Sequence, residues 1–365
     1  MKLFIDVNAA VDHVDSDLKE IKEEDVKTII NEVLSEVLPE DMLLKKKIEF
    51  LNTTIEYLNY NLLSTFIKQG IEYGILTLID RYNPTMEELY SLIKYPNKDF
   101  VINYVNTAIK LNILKEEDNK IKVNENFEIK IKMPKFGKII NDYIMKYNYI
   151  TYITRYALIS YNHPKICINF KKDPDIWDMI LGSNYFNLHR EVALELLKIE
   201  NDSYILDVGC GSRSPAFFIK HIFPKGFYMG VDISKGLLEI AKNRIKRNGL
   251  DCYELKCMDF SVAIPKEKYD YVICSHVLKY APSIKIFLNK MMKALRPGGK
   301  IYLAEEFILD KDDNIYVEVF EFYNKLNNRF MRYYSLEEIK DILERLGYDT
   351  KIERAGKGIV IIEKI

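Results

Sequence analysis

The sequence is short of three things that would narrow its function at once: charge of one sign, cysteines at ligand spacing, and a long apolar run. Its 53 Lys and Arg against 54 Asp and Glu leave a net charge of −1. With no overall basic field to draw a polyanion, nucleic acid is not the favoured partner. The five cysteines, at positions 167, 210, 252, 257 and 274, show no metal-ligand spacing. Three of them fall in or beside segments that read as strands, so they are expected to be small buried residues in a reducing compartment. No signal peptide and no apolar run of transmembrane length is seen. The expected location is therefore cytoplasmic, with no membrane partner. What is present is an ordinary globular composition, 48% hydrophobic and 29% charged over 365 residues, a length that suits two domains.

The stretch that organises the chain is Ser203 to Ile219. Ile205, Leu206 and Val208 form a short apolar run that ends in Gly209-Cys210-Gly211. Pro215 sits where a first helical turn begins, and Ala216 to Ile219 continue as an apolar helix face. Strand, glycine turn and helix make the first βα unit of a doubly wound sheet, where ligands bind at the carboxyl end of the strand. The glycines let the backbone approach a ligand without Cβ atoms in the way. A dinucleotide fingerprint wants Gly or Ala three residues after the second glycine, but Ser214 stands there. Asp207, two residues before the first glycine, would sit awkwardly beside a pyrophosphate. It is well placed beside a ligand that carries an ammonium group and no phosphate. The Asp-x-Gly-x-Gly pattern therefore points to S-adenosyl-L-methionine (SAM) rather than NAD.

The residues that follow continue the pattern. Phe227 to Val231 is a second apolar run, ended by Asp232, roughly 25 residues past the first strand against the ~20 of the dinucleotide case. An acid there can accept both ribose hydroxyls, with Ile233 beside it. A helix from Leu237 to Arg247 and a strand near Tyr253 to Cys257 lead to Met258-Asp259-Phe260. Asp259 can accept an adenine amino group while Met258 or Phe260 packs on the ring. Tyr271 to Ser275 is another buried strand, with His276-Val-Leu-Lys-Tyr280 at its tip. Leu295-Arg-Pro-Gly-Gly-Lys300 turns into the strand Ile301 to Ala304, which ends in Glu305-Glu306.

On Asp207-Val-Gly-Cys-Gly211, Gly230-Val-Asp-Ile-Ser234, Met258-Asp-Phe260 and Leu295-Arg-Pro-Gly-Gly299, the chain resembles the class I SAM-dependent methyltransferases over roughly residues 200 to 365. The resemblance implies an α/β fold, a Rossmann-like seven-stranded methyltransferase sheet, with SAM as cofactor. It implies cofactor contacts from Asp207, Gly209, Cys210, Gly211, Asp232, Ile233, Met258, Asp259, Phe260 and Ser275. One departure stands out: the family usually has Gly at the position of Arg213. Either the helix start is packed differently, or the guanidinium reaches the cofactor carboxylate or the substrate.

Upstream, residues 1–45 read as an acidic helical extension, with Val26, Ile29, Ile30, Val33, Leu34 and Val37 at helical spacing and Pro39 stopping the run. Its apolar face docks on its own chain or on a partner. Residues 46–130 read as helices through Leu62, Phe66 and Ile67, from Met86 to Ile93 and from Phe100 to Leu111. Two short strands, Ile113 to Glu116 and Lys120 to Val123, then flank Asp118-Asn119, a hairpin signal. Helices followed by a hairpin make a winged helix. Its third helix carries a single basic residue, Lys110, which speaks against DNA binding. The order of these segments resembles the N-terminal dimerisation domain of small-molecule O-methyltransferases, which implies a homodimer.

Residues 131–200 read as a helical connector, followed by the SAM-binding methyltransferase domain over 201–365. Lys130, Lys132, Lys135 and Lys138 form a solvated face. Tyr143, Tyr147, Tyr149, Tyr152 and Tyr156 mark an aromatic helix that, in the resembling family, also lines the substrate pocket. His163 and Cys167 stand four apart, but Pro164 between them argues against a regular helix, and no metal is expected. Ile315 to Met331 is placed to roof the substrate site, and Ser335-Leu-Glu-Glu338 reads as a capping box.

The expected chemistry is methyl transfer, in which the sulfonium already activates the methyl group and the protein aligns the acceptor and excludes water. The resembling O-methyltransferases place a catalytic His just after the fourth strand. Lys279 falls on that position, and their flanking acid matches Glu305. Lys279 and Glu305 are thus the candidate catalytic residues, with Lys279 expected to stay cationic beside Glu305, while His276 is expected to pack. The leading function is methylation of a small-molecule acceptor at O or N by a homodimer. Two alternatives are a SAM-binding winged-helix regulator without catalysis, and a methyltransferase acting on a peptide or protein.

Overall fold

The computed structural model describes residues 42–129, 134–160, 171–262, 268–310, 315–327 and 329–365. The helical lead-in at Val26–Val37, Lys130, Lys132 and the His163–Cys167 pair lie outside the described residues. Leu43–Ile365 forms one compact unit.

The N-terminal part of that unit is helical. A long helix α1 (Leu44–Glu72) buries Leu51, Ile55, Leu58, Leu62 and Phe66 along one stripe. It stops at Gly74, whose φ of +70° suits a residue without Cβ, and α2 (Ile75–Tyr82) follows. Helix α3 (Met86–Leu92) opens with a full capping box between Thr85 and Glu88. Helix α4 (Lys98–Lys110) is capped by Asn97. It ends in a Schellman arrangement: Asn112 has φ +57°, Ile113 N–H bonds Ala108 O, and Asn112 N–H bonds Ile109 O. Because Ile113 is used to close the helix, the first strand starts one residue later than the sequence suggests. Strands β1 (Leu114–Glu117) and β2 (Lys120–Val123) pair antiparallel. Asp118 and Asn119 both have positive φ between them, the twist a two-residue hairpin needs.

Helix α5 (Asn141–Ile159) turns Tyr143 and Tyr147 inward and leaves Tyr149, Tyr152 and Tyr156 exposed. Two further helices, α6 (Pro174–Leu181) and α7 (Asn184–Leu197), lead into the sheet.

The sheet has seven strands in the order β5-β4-β3-β6-β7-β9-β8. Strands β3 (Tyr204–Val208), β4 (Phe227–Asp232), β5 (Tyr253–Cys257), β6 (Tyr269–Ser275) and β7 (Leu295–Ala304) are parallel. Strands β8 (Thr350–Gly356) and β9 (Ile359–Lys364) close the edge antiparallel. Helices α8 (Ser214–Ile222), α9 (Lys235–Arg247) and α10 (Ile284–Ala294) make the crossovers. The central strands are apolar on both faces because helices cover both; Leu206, Val208, Val272, Ile301, Leu303 and Val360 belong to one buried core. The chain leaves β3 toward β4 on one side and returns to β6 on the other. The crevice at this switch point is where an open α/β sheet receives ligands.

The late helix α11 (Ile315–Asn324) is shorter than the sequence pattern. The Asn324 amide nitrogen bonds back to Phe320 O, and the chain returns to the sheet, with Met331 N–H on Lys279 O. Helix α12 (Leu336–Arg345) is capped by Ser335, but Glu338 turns its carboxylate to Arg332 instead of closing the expected box. No helix among the described residues is long and apolar enough to cross a membrane.

Candidate functional site

One cavity runs from the glycine turn after β3 to the tips of β6 and β7. At its glycine end, Gly209 and Cys210 N–H both bond Val231 O, at 2.7 and 3.2 Å, which ties the turn to β4. Gly209 has φ +71°, and a Cβ there would overlap the Val277 side chain. Gly211 has φ +59°, and its Cβ would meet Leu181 Cδ1 at 2.7 Å. At both positions a side chain would be strained by the backbone and crowded by its neighbour.

Two buried carboxylates flank the turn. Asp232 accepts Gly211 N–H at 2.9 Å on one oxygen and Ser234 N–H at 2.8 Å on the other. Each oxygen keeps a lone pair for a further donor. Burial holds the Asp232 pKa above the ordinary range against those two bonds. Asp207 accepts the Tyr228 hydroxyl at 2.6 Å. Burial pushes its pKa up to about 7, despite that bond and the nearby Arg190. Ile233, Met258, Asp259, Phe260 and Ser275 also line the cavity. Asp259 accepts Ser261 N–H at 2.9 Å, and Arg329 lies 3.4 Å from its other oxygen.

Arg213 does not point at the cavity's ligand space as a lone cation. Its guanidinium makes a two-pronged pair with Asp178 of α6, at 2.9 and 2.7 Å. Arg244 joins the same carboxylate, and Ser212 Oγ donates to it at 2.6 Å. Helix α6, which brings Trp177 and Leu181 to the cavity wall, is thereby fastened to the glycine turn. The unusual arginine belongs to that fastening.

The far end of the cavity is a dense buried polar cluster. Lys279, only 1% exposed, pairs with Glu305 at 3.1 Å and with Glu306 more closely still. Glu306 is the hub. One oxygen accepts Tyr143 OH at 2.8 Å, Tyr147 OH at 3.2 Å and Lys146 Nζ at 3.2 Å. The other accepts Lys279 and Tyr333 OH, and His276 Nδ1 lies 3.3 Å away. Burial raises the Glu306 pKa, but Lys279, Lys146 and His276 together hold it well below the ordinary carboxylate range. Glu305 is raised by burial, which the Lys279 charge only partly offsets. Burial opposes the Lys279 charge, yet the two glutamates raise its pKa above the usual lysine value, so it is cationic at working pH. Burial lowers Lys146 to about 8 and His276 to about 4, leaving the imidazole neutral.

The sequence placed Lys279 and Glu305 together, and the structure brings them into contact. Around them it also gathers Lys146, His189 and Glu306, none of which the sequence marks as a site residue. A lysine between Tyr143 and Tyr147, on the stripe that faces inward, was the available signal for Lys146. His276, read as a packing residue, lines the cavity with φ +57°. Ligand atoms of His276, Glu305 and Glu306 lie within 4.8 Å of one another. The Lys279 ammonium, however, sits where a cation between the carboxylates would sit.

The family described as Methyltransferase domain matches residues 199–345. A Methanocaldococcus jannaschii protein, named only as uncharacterised, is 64% identical over 337 residues, 92% of each chain. A demethylmenaquinone methyltransferase of Listeria welshimeri is 27% identical over 139 residues, 36% of this chain and 58% of the relative. Among solved structures, the CurJ carbon methyltransferase superposes with a TM-score of 0.55 at 14% identity, over 93% of this chain and 98% of its own. An O-methyltransferase family 2 protein from Planctomyces limnophilus, in complex with apigenin, gives 0.50 at 15% identity, over 86% and 96%. At such identities the two structures speak for the fold.

Proposed function

The chain belongs to the class I SAM-dependent methyltransferases, and on that premise we propose that its methyl acceptor is a small molecule taken into the polar end of the cavity. One observation carries this reading. The polar groups at that end, Lys146, His276 and Lys279, are all buried, so an acceptor must be small enough to enter and be enclosed. A peptide or protein side chain would need an open approach. A regulator without catalysis would have no use for such a cluster beside the cofactor.

In this reading the glycine end holds SAM. The backbone of Gly209, Cys210 and Gly211 allows close approach, and Asp207 faces the ammonium group of the amino-acid moiety. Asp232 takes the ribose hydroxyls on its two free lone pairs. Asp259 meets the adenine amino group, with Ile233, Met258 and Phe260 around the ring and Ser275 near the reacting end. SAM supplies a methyl group that its sulfonium has already activated. The protein's part is alignment, exclusion of water and charge placement. Lys279, held by Glu305 and Glu306, presents a fixed positive charge to an acceptor atom that carries or develops negative charge.

Residues 46–130 act in this proposal as a winged-helix dimerisation module, and the working form is a homodimer. Light scattering that finds a monomer at micromolar concentration would remove that part. For the reaction, the test uses methyl-labelled SAM, the full chain and a cell extract separated into dialysable and protein fractions. Label is expected in the dialysable fraction. Label confined to the protein fraction would overturn the small-molecule reading.

A further inference from the structure

Two lysines take the Glu306 carboxylate by its two different oxygens. Lys146 Nζ lies 3.2 Å from Oε1 and 3.2 Å from the Tyr143 hydroxyl oxygen. Lys279 Nζ bonds Oε2 and pairs with Glu305 at 3.1 Å. An ammonium group has three N–H bonds. Among the described residues, these acceptors leave at least one N–H of each lysine without an acceptor. The tyrosine ring centres around the two nitrogens are 4.9 Å or more away and make cation–π contacts rather than hydrogen bonds. Both lysines are buried, and both line the cavity. A buried ammonium group gains most from a partner that is itself charged.

The charges at this end leave room for such a partner. Lys279, Lys146 and His276 hold Glu306 ionised against its burial. Burial raises Glu305 to about 7, so near neutral pH it is protonated in roughly half of the molecules. In that form two cations face one anion, and a second anion restores the balance. The same end is poor in bases. Ammonium groups have no lone pair, and burial lowers His276 to about 4. Neither glutamate is among the residues that line the cavity. An acceptor that must lose a proton is therefore badly served here. An amine would also develop positive charge beside two ammonium groups. An acceptor that arrives as an anion meets neither obstacle.

We propose that the methyl acceptor is the carboxylate of a small acid, held between Lys146 and Lys279, and that the product is its methyl ester. This rests on the methyltransferase reading above and names its substrate class. One carboxylate oxygen accepts the remaining N–H of Lys146 and the other accepts that of Lys279. Each oxygen keeps a further lone pair, and one of these attacks the methyl carbon. The carbon–oxygen bond forms as the carbon–sulfur bond breaks, and the bonding pair stays on sulfur. Anion and sulfonium thus become a neutral ester and a neutral thioether, with no proton released and no further reactant required. Charge falls on both reactants along this path, and a cavity that strips the carboxylate of water favours it. Lys146 is then a specificity-determining residue that separates an acid from its neutral amide.

Two measurements test this. The full-length protein is incubated with methyl-labelled SAM and the dialysable metabolite fraction, and the product is treated with mild alkali. Label released as volatile methanol is expected, because an ester is cleaved while methyl groups on ether oxygen, nitrogen or carbon stay in place. Alkali-stable label overturns the proposal and leaves the methyltransferase reading standing. If no label reaches any metabolite, that reading fails, and the second measurement still decides the anion site. Protein saturated with S-adenosylhomocysteine is titrated with straight-chain, branched and aromatic monocarboxylates and with their matched primary amides, binding being followed by ligand-observed NMR. At least one acid is expected to bind on the order of tenfold tighter than its amide. Lys146→Gln should erase that preference while its affinity for S-adenosylhomocysteine shows the fold intact. If no acid exceeds its amide in the wild-type protein, or if the preference survives in a folded Lys146→Gln, the proposal is overturned.

Discussion

The hydroxyl of Tyr228 lies 2.6 Å from the carboxylate of Asp207, and both groups are buried at the glycine turn. Burial raises Asp207 to about 7. Tyr228 donates from β4, Arg190 of α7 favours the ionised form, and Asp232 opposes it. A carboxyl whose folded pKa is raised favours the folded state below its unfolded pKa, near 3.9. That contribution is lost as pH rises through about 7. An ammonium group placed beside Asp207 reverses the balance and favours the carboxylate. SAM binding is therefore expected to release a proton between about pH 6 and 7 and to tighten as pH rises through that range. Calorimetry in buffers of different ionisation enthalpy reads the proton directly, and Asp207→Asn should abolish its release. Proton uptake on binding would show that the ammonium group lies elsewhere.

The fastening of α6 leads to a kinetic expectation. Asp178 alone receives Arg213, Arg244 and Ser212. Asp178→Asn removes the charge but keeps the shape, and charge-assisted bonds of this kind contribute about 1.5–3 kcal/mol each. The pairs are partly exposed, so solvent and salt reduce that figure. SAM dissociation should speed up by about tenfold, with less effect on association. Stopped-flow displacement measures both rates. An unchanged dissociation rate would mean that α6 does not hold the cofactor in.

Much of this was legible in the sequence, for reasons that differ by element. The strands β3, β4, β6 and β7 are buried on both faces, so each reads as an apolar run, and their tips carry the acids that mark a cofactor crevice. The Asp118-Asn119 hairpin was legible because both turn residues tolerate positive φ. The hub at Glu306 was not. Glu305 and Glu306 are adjacent, and which of two neighbouring acids faces a helix arriving from 160 residues upstream is decided by tertiary packing. Arg213 was flagged as a departure, but its partner Asp178 has no sequence mark that separates it from any other acid on a short helix. The reach of α11 was overestimated because an amphipathic pattern continues past Asn324 while the backbone does not.

Glu306 is expected to be the costliest single side chain to remove. Its carboxylate gathers Lys146, Lys279 and three tyrosine hydroxyls. Breaking a buried pair from one side costs about 3–5 kcal/mol, and Glu306→Leu should lose at least that in urea denaturation. Its folded pKa is depressed. Its contribution is therefore present above the unfolded value, about 4.3, and is lost as pH falls through the folded value. Glu306→Gln should remove that acid-sensitive share and flatten the stability profile at low pH. A Gln variant as acid-sensitive as wild type would show that other carboxylates control the acid limb.

Lys279 is the remaining test of the cluster, because the proposed chemistry rests on the sign of its charge. Its pKa is raised, so its stabilising contribution is complete below the unfolded lysine value, near 10.4, and is lost only as pH rises through the folded value. Across neutral pH it is a constant cation and cannot act as a base. Lys279→Met should therefore lower kcat/KM by on the order of 100-fold, the scale for losing one preorganised electrostatic partner. It should not create or remove a neutral-pH inflection that belongs to Lys279. The same change leaves Glu305 and Glu306 with Lys146 alone. Glu305, already raised by burial, should rise further and stay protonated. Lys279→Arg keeps the charge with a different fork and should recover part of the activity if charge is what matters. Activity and pH profile identical to wild type in Lys279→Met, measured once an acceptor is in hand, would remove Lys279 from the chemistry and leave it as a buried partner of two glutamates.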